Sequence, residues 1–169
     1  MHRDRCGFVL AVGLAGLITS VAVGQQEKDQ RIDLDKVPAA VKEAADKAVP
    51  GVTWHHASKE TEEGKTIYEL TGKNAHGRAV EVEVTPEAEV LEVETAIPLH
   101  EVPKVALDAF KAAYPHLKAT GAESVAEGGK IVAYDILTRK GHKSVEYRVS
   151  ADGKTVKFEE EEEEEEEEK

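Results

Sequence analysis

The sequence predicts an α+β fold made of two tandem units, in which each unit packs one helix on a four-stranded antiparallel meander sheet. Two observations support this fold class. The helix-like segment KVPAAVKEAADKAVPG at 36–51 has a close relative, EVPKVALDAFKAAYPH, at 101–116. After each copy the apolar period changes from 3.6 residues to 2, which is typical of strands with one buried face. A unit of about 60 residues buries only roughly 60% of its unfolded surface, so two units that pair across an interface, or that continue one larger sheet, would be more stable than one.

The first 24 residues have the features of a secretion signal. A basic start, MHRDR, precedes the apolar run CGFVLAVGLAGLITSVAVG, whose last three residues are small. We expect cleavage between Gly24 and Gln25, a disordered linker at 25–34 and export to the periplasm or the medium. An uncleaved membrane anchor is the alternative, since the run approaches the roughly 20 residues of a spanning helix. The only cysteine, Cys6, lies in this segment, so the mature chain would have no thiol.

The first unit is predicted at 35–96. Val37-Pro38 begins its helix, because the fixed backbone angle of proline suits a first turn, and Pro50 ends it. Strands are expected around 52–58, at 66–70, at 80–84 and at 91–94. In the last two, valines and a leucine alternate with glutamates, so we expect the glutamates to lie on a solvated strand face.

The second unit, at 97–158, repeats this order. Its helix begins at Val102-Pro103 and ends before Pro115. Strands are expected around 117–124, at 131–137, at 145–149 and at 156–158. The Asp152-Gly153 pair between the last two strands is a strong hairpin signal, because the tight turns that match strand twist require positive backbone angles.

The chain continues with ten glutamates, Glu159 to Glu168, and Lys169. Like charges at this density repel and have no apolar face to bury, so we expect disorder at 159–169. The glutamates could bind cations weakly and without specificity, attract a basic partner, or only keep the chain soluble. The formal net charge of the 169 residues is −12. It becomes −13 without the predicted signal and −4 when the acidic run and its lysine are also left out. The predicted folded part therefore has no basic stripe for nucleic acid.

Several turn and core motifs recur in both units. In the first unit they are Val37-Pro38, Val49-Pro50-Gly51, 64–68 (GKTIY) and 85–91, and in the second Val102-Pro103, Tyr114-Pro115, Gly129-Lys130, Tyr134 and 150–156. They resemble the PepSY-like domain, also described as β-lactamase-inhibitor-protein-like (BLIP-like), in two tandem copies over 35–158. The resemblance implies an exported domain without enzymatic activity, whose relatives bind or inhibit envelope proteins such as peptidases. Ala88 replaces the usual glycine of the closing hairpin, so we expect that turn to be looser or longer.

The triplet Trp54-His55-His56 is the most unusual local feature of the predicted mature chain. On a regular strand Trp54 and His56 share one face and His55 takes the other. Exposed, the three side chains would form an aromatic anchor for a protein partner. Alternatively, Trp54 completes the core under the helix and the histidines are ordinary strand positions.

The remaining polar residues form no recognisable catalytic or metal motif. The histidines are scattered, with no His-x-x-x-His pair on a helix, and no serine lies in a nucleophile elbow. We therefore expect no enzyme, no metal and no cofactor. The sequence favours an exported binding module that recognises or inhibits an envelope protein, and the resemblance suggests a peptidase as one such partner. The alternative is a cation-binding or buffering protein that acts through the glutamate run.

Overall fold

The computed structural model describes residues 30–62 and 65–163. The predicted signal and the end of the glutamate run, residues 164–169, lie outside this range. The described elements are β1 (Gln30–Ile32), α1 (Ala39–Ala48), β2 (Thr53–Glu62), β3 (Lys65–Lys73), β4 (Ala79–Val84), β5 (Val90–Ile97), a 3-10 turn (Leu99–Glu101), α2 (Lys104–Ala113), β6 (Gly121–Glu127), β7 (Lys130–Lys140), β8 (Lys143–Ser150) and β9 (Val156–Glu163). No helix in this part of the chain is long and apolar enough to cross a membrane.

The nine strands form one antiparallel sheet in sequence order, so the predicted fold class, two units each with its own four-stranded sheet, is wrong. The fold is still α+β. The strands that would end the first unit and begin the second pair directly, with Thr95 opposite Ser124 and Ile97 opposite Ala122. This pairing joins two edges whose backbone groups would otherwise lack partners in the sheet. The order of one helix followed by four strands does occur twice, at α1–β5 and α2–β9.

Both helices begin and end where the prolines predict. Pro38 and Pro103 are the residues immediately before α1 and α2, with φ near −55° in each case. Val49 and Tyr114 close the helices, and a proline follows each. A proline restricts the residue before it to extended angles, so neither helix can continue through this point.

The two helices cover the same side of the sheet, called here the helix face. Val41 and Ala45 of α1 pack on a cluster that includes Leu70 and Val82, and all four are fully buried. Phe110 of α2 packs on Ile136 in a second cluster. Val93 and Ile97 lie four residues apart on the same face of β5, the first under α1 and the second against the α2 cluster. β5 therefore contributes to both cores.

Two segments expected to be irregular contain strands. Gln30–Ile32 pairs with β2 inside the predicted linker, where Ile32 lies opposite Ala57 and packs on the first core. β9 continues to Glu163, and Glu161 to Glu163 pair with β8. The disorder expected at 25–34 and 159–169 stays a prediction.

Two strand glycines with different surroundings test how tightly this sheet is packed. A methyl group at Gly72 would lie 2.4 Å from the carbonyl oxygen of Thr53, whereas one at Gly121 would lie 3.2 Å from the mobile end of Leu137. We expect Gly72→Ala to lower the free energy of unfolding by about 1–3 kcal/mol, because backbone must move. Gly121→Ala should be neutral or slightly stabilising, because alanine has less backbone freedom to lose. Urea unfolding of both variants measures this, and equal effects would contradict the packing described.

Candidate functional site

The structure places Trp54 against the helix that precedes it. Its indole nitrogen donates a hydrogen bond to Asp46 of α1 at 2.7 Å, and its ring packs on the first core cluster. Trp54 is only partly exposed, whereas His55 and His56 are exposed. Of the two roles considered for the tryptophan, the contacts match a core residue that fastens α1 to β2.

A bulge in β2 changes the orientation predicted for the histidines. Trp54 pairs with Gly72 and Ala57 with Leu70, so all four lie on the helix face. The extra residue between them puts His56 opposite Thr71, on the other side of the sheet. The expectation that Trp54 and His56 share a face is therefore wrong. The Nδ1 atom of His56 lies 2.5 Å from a guanidinium nitrogen of Arg31 in β1.

The other side of the sheet, called here the polar face, contains a buried arginine network. Arg148 of β8 donates from Nε and Nη2 to the two carboxylate oxygens of Asp135 in β7, at 3.0 and 2.8 Å. Its remaining donors reach β5, with Nη1 at 3.0 Å from Glu92 and Nη2 at 2.6 Å from Glu94. One guanidinium thus hydrogen-bonds three carboxylates on two strands, and a carboxylate oxygen of Glu159 in β9 lies 3.9 Å from its Nε. We call these residues, with Glu81 and Glu123 beside them, the Arg148 cluster.

These contacts are favoured by a curved sheet. β8 and β5 are three strands apart, and neighbouring strands lie about 4.8 Å from each other, so a flat sheet would separate them by about 14 Å. Direct bonds from Arg148 to Glu92 and Glu94 mean that the polar face is concave here. The curvature shields the acids, since the side chains of Glu92 and Glu94 are only 14% and 15% exposed. The expectation of a solvated glutamate face is wrong at these two positions.

The cluster holds more acid than its one arginine neutralises. Burial, then a hydrogen bond with Glu92 and the negative charge of Asp135, raise the pKa of Glu94 to about 11. Further repulsion comes from Glu81 and Glu123. Arg148 makes two hydrogen bonds to the fully buried carboxylate of Asp135, so its positive charge mainly compensates that group. The charge of an ionised Glu94 would not be compensated in the same way, and Glu94 therefore keeps its proton at neutral pH. Burial acts to lower the pKa of Arg148, but its bonds to Asp135 outweigh this and raise it.

The chemistry available to this cluster is structural. The guanidinium occupies the centre of the acids, and within residues 30–62 and 65–163 no group of three metal-binding side chains is placed to hold an ion. A general acid or base works best with a pKa near the working pH, which Glu94 does not have. The arrangement therefore joins the two halves of the sheet through hydrogen bonds between β8 and β5.

Sequence reasoning did not find the cluster, although one signal was available. Asp135 is the single acid in an otherwise apolar run, IVAYDIL, at 131–137. A lone acid on a buried strand requires a cationic partner, and Arg148 in VEYRV is the only basic residue of that strand core. No comparable pattern in the sequence indicates that Arg148 also contacts Glu92 and Glu94 on the more distant strand β5.

A second feature of the helix face is the turn at Ala88. Ala88 is the only described residue other than glycine with a positive φ, 66°, close to the 71° of Gly153 in the matching turn. The turn at Ala88 is not longer than the turn at Gly153. The backbone N–H of Thr85 bonds to the carbonyl of Glu89 across the first turn, whereas that of Ser150 bonds to the carbonyl of Thr155 across the second, which encloses one residue more. Beside it lies an open cleft of about 480 Å³ between α1 and the β4–β5 turn. Its lining residues are Ala40, Glu43, Ala44, Lys47, Ala48, Ala88 and Val90.

The first half of the described fold resembles a known protein family. Residues 38–94 match the family described as "PepSY: Peptidase propeptide and YPEB domain". The match spans α1 to most of β5, so the interpretation of the second half as another copy stays a prediction. No curated protein matches the chain.

Three solved structures share the fold. A BLIP-like protein from Bacteroides fragilis has a TM-score of 0.50 and 21% identity, over 74% of this chain and 84% of that one. A candidate periplasmic protein from Bacteroides eggerthii has a TM-score of 0.52 and 20% identity, over 74% and 87%. A DUF2874 family protein from Bacteroides uniformis has a TM-score of 0.51 and 18% identity, over 72% and 88%. At these identities the likeness concerns the fold alone.

The proton on Glu94 makes stability depend on pH. Below the ordinary pKa of 4.5 both folded and unfolded chains carry this proton, whereas above it only the folded chain keeps it. The free energy of unfolding should thus fall by up to about 1.4 kcal/mol per pH unit as pH rises from neutral towards 11. Glu94→Gln, whose amide can still donate to Glu92, should remove this slope. Urea unfolding between pH 6 and about 9 measures it, with the exposed Glu87→Gln as control. An unchanged slope in Glu94→Gln would contradict the assignment.

The second prediction concerns Arg148 itself. Arg148→Met leaves the fully buried Asp135 without its cation, so we expect a loss of about 3–5 kcal/mol in the free energy of unfolding. Adding Asp135→Asn should recover part of this loss, because the buried charge is then gone. As a matched control, Arg78→Met removes an exposed bidentate pair with Glu101 and should cost much less. Equal losses for the two arginines would show that the cluster is not needed for stability.

Proposed function

We propose that the protein is an exported, non-catalytic binding module that recognises another protein of the cell envelope, and that a peptidase is the first class of partner to test. The observation that carries the proposal is the match of residues 38–94 to a family whose description names peptidase propeptides. The shared fold with a BLIP-like protein and with a candidate periplasmic protein agrees with a binding role outside the cytoplasm. The secretion signal expected at 1–24 provides the route of export.

The chemistry of the polar face supports binding over catalysis. The most buried charged groups of the described residues are committed to one another around Arg148. Glu94, with a pKa of about 11, cannot exchange its proton readily near neutral pH. Glu92 and Glu94 are only 14% and 15% exposed and Asp135 is fully buried, so little of their surface is available to a substrate.

Within this proposal, His55 and His56 are contact residues and Trp54 is their support. The two histidines are exposed at the bulge of β2, where His56 lies opposite Thr71 and His55 has no partner in the register with β3. Trp54 is tied to α1 through Asp46, which gives this part of the strand a fixed position. A rigid support favours binding because less side-chain and backbone entropy is lost on association.

Affinity capture tests the proposal. The mature chain, 25–169, is immobilised and exposed to an envelope extract of the native organism, and retained proteins are identified by mass spectrometry. We expect one protein to be retained in stoichiometric amount and, if it is a peptidase, to lose activity on binding. His55→Ala combined with His56→Ala should weaken its retention about fivefold or more. His76→Ala, an exposed histidine in the β3–β4 turn, is the matched control and should have no effect.

A second bait distinguishes specific recognition from attraction to the glutamates. The chain that ends at Glu163 keeps all of β9 and lacks only residues 164–169. Equal retention by both baits supports a binding module. Retention by the full bait alone, or of basic proteins without selection, would contradict the proposal and favour a cation-binding or buffering role for the glutamate run.

A further inference from the structure

The last strand of the sheet has an open edge. β9 pairs with β8 on its inner side, and none of the described residues pairs with its outer side. Within the described residues it is eight residues long, whereas β1, the opposite edge strand, has three. A long edge presents a row of backbone donors and acceptors to which an extended segment can add. β9 is therefore the longer of the two edges in the described part of the sheet, with a bulge between Phe158 and Glu161.

An aromatic side chain is exposed at this edge. Phe158 of β9 is 51% exposed and makes an edge-to-face contact with Tyr147 at a centroid distance of 5.9 Å. Tyr147 in turn contacts Phe110 and Tyr114 of α2, at 5.6 and 4.4 Å. Phe158 is thus the outermost ring of an aromatic group anchored in the second core. A half-exposed ring with a fixed position is a suitable contact for an apolar side chain.

The charge along the edge has one sign beyond Phe158. The strand continues with five glutamates, Glu159 to Glu163, and the sequence with five more. This charge repels a second copy of the same strand and favours a basic one. Lys157 precedes Phe158 along the strand and carries a positive charge. A basic segment therefore matches only the part of the edge from Glu159 onward. The edge therefore selects both the charge and the direction of its occupant.

We propose that the outer edge of β9 docks an extended protein segment that places an apolar or aromatic residue on Phe158 and lysines or arginines along Glu159 to Glu163. Added as an antiparallel strand, such a segment has its basic residues first and its apolar residue last. The proposal rests on the proposed function in taking a protein as partner, and it specifies the chemistry of the segment that is recognised.

Two peptides test the proposal with the mature chain. The first is a blocked peptide of sequence KTKTKFT, and the second is the same peptide with alternate backbone amides methylated, which keeps its charge and side chains but prevents strand addition. At physiological salt, calorimetry should show binding of the first peptide and at least tenfold weaker binding of the second. Hydrogen exchange should show protection of β9 amides only with the first.

Matched variants locate the contact. Phe158→Ala should weaken binding of the first peptide about two- to tenfold, the range of one aromatic contact. Ile131→Ala on β7 removes a side chain of equal exposure, 51%, and should change nothing. If Phe158→Ala proves unfolded by circular dichroism, the comparison of the two peptides on the unaltered chain still decides.

Several outcomes would overturn this docking site. They are equal affinity for the two peptides, absence of binding at physiological salt, and binding that does not change in a folded Phe158→Ala variant.

Failure of the proposed function is distinguishable from failure of this docking site. An envelope protein whose retention survives Phe158→Ala would leave the binding module standing and remove this edge as its site. Peptide binding without any captured protein would keep the edge and contradict the broader function.

Discussion

The pair formed by Arg148 and Asp135 is the interaction on which the rest of the structure depends. Asp135 is fully buried on β7, and a buried carboxylate without a cation is costly enough to unfold a small domain. Its two bonds to Arg148 satisfy it and fix the plane of the guanidinium. With that plane fixed, the free donors of Arg148 point towards Glu92 and Glu94 on β5. The curvature of the sheet follows from these bonds.

The same cluster explains why the two halves of the chain form one sheet. In the first half, Glu81 lies directly opposite Glu94, and Glu83 opposite Glu92. Like charges in direct cross-strand positions are destabilising, so Glu83 and Glu92 oppose the pairing of β4 and β5, whereas Glu94 avoids repulsion by Glu81 because it keeps its proton. The positive charge bound to Glu92 and Glu94 comes from β8, in the second half. The segment that matches the PepSY family thus depends on residues beyond it.

The sequence predicts the local elements well, because local physics determines them. The prolines bound both helices, and apolar alternation locates Val80, Val82 and Val84 on a buried face. The pairing across β5 and β6 was not predicted, since two similar units can meet in several ways with the same internal pattern. The burial of Glu92 and Glu94 was missed for a related reason. Alternation shows which side chains share a face, whereas curvature decides whether that face is solvated.

The candidate site was less predictable than the fold because single residues change it. One extra residue in β2 separates Trp54 from His56, and no local signal in WHH announces a bulge. The exposure of His55 and His56 is compatible with a binding role, but Trp54 takes part in the core. Aromatic residues carry a large apolar surface together with one polar atom, so composition alone does not distinguish an anchor from a core position.

The two halves differ most where a helix meets its closing turn. In the second half, Gly153 lies so close to α2 that a methyl group there would be 2.8 Å from Val105. The first half has Ala40 and Ala88 in place of this pair, and a cleft of about 480 Å³ separates the helix from the turn. Ala88 keeps a positive φ that glycine would adopt without strain. The same order of elements therefore presents a closed surface in one half and an open one in the other, which means that a partner of one half has no equivalent contact on the other.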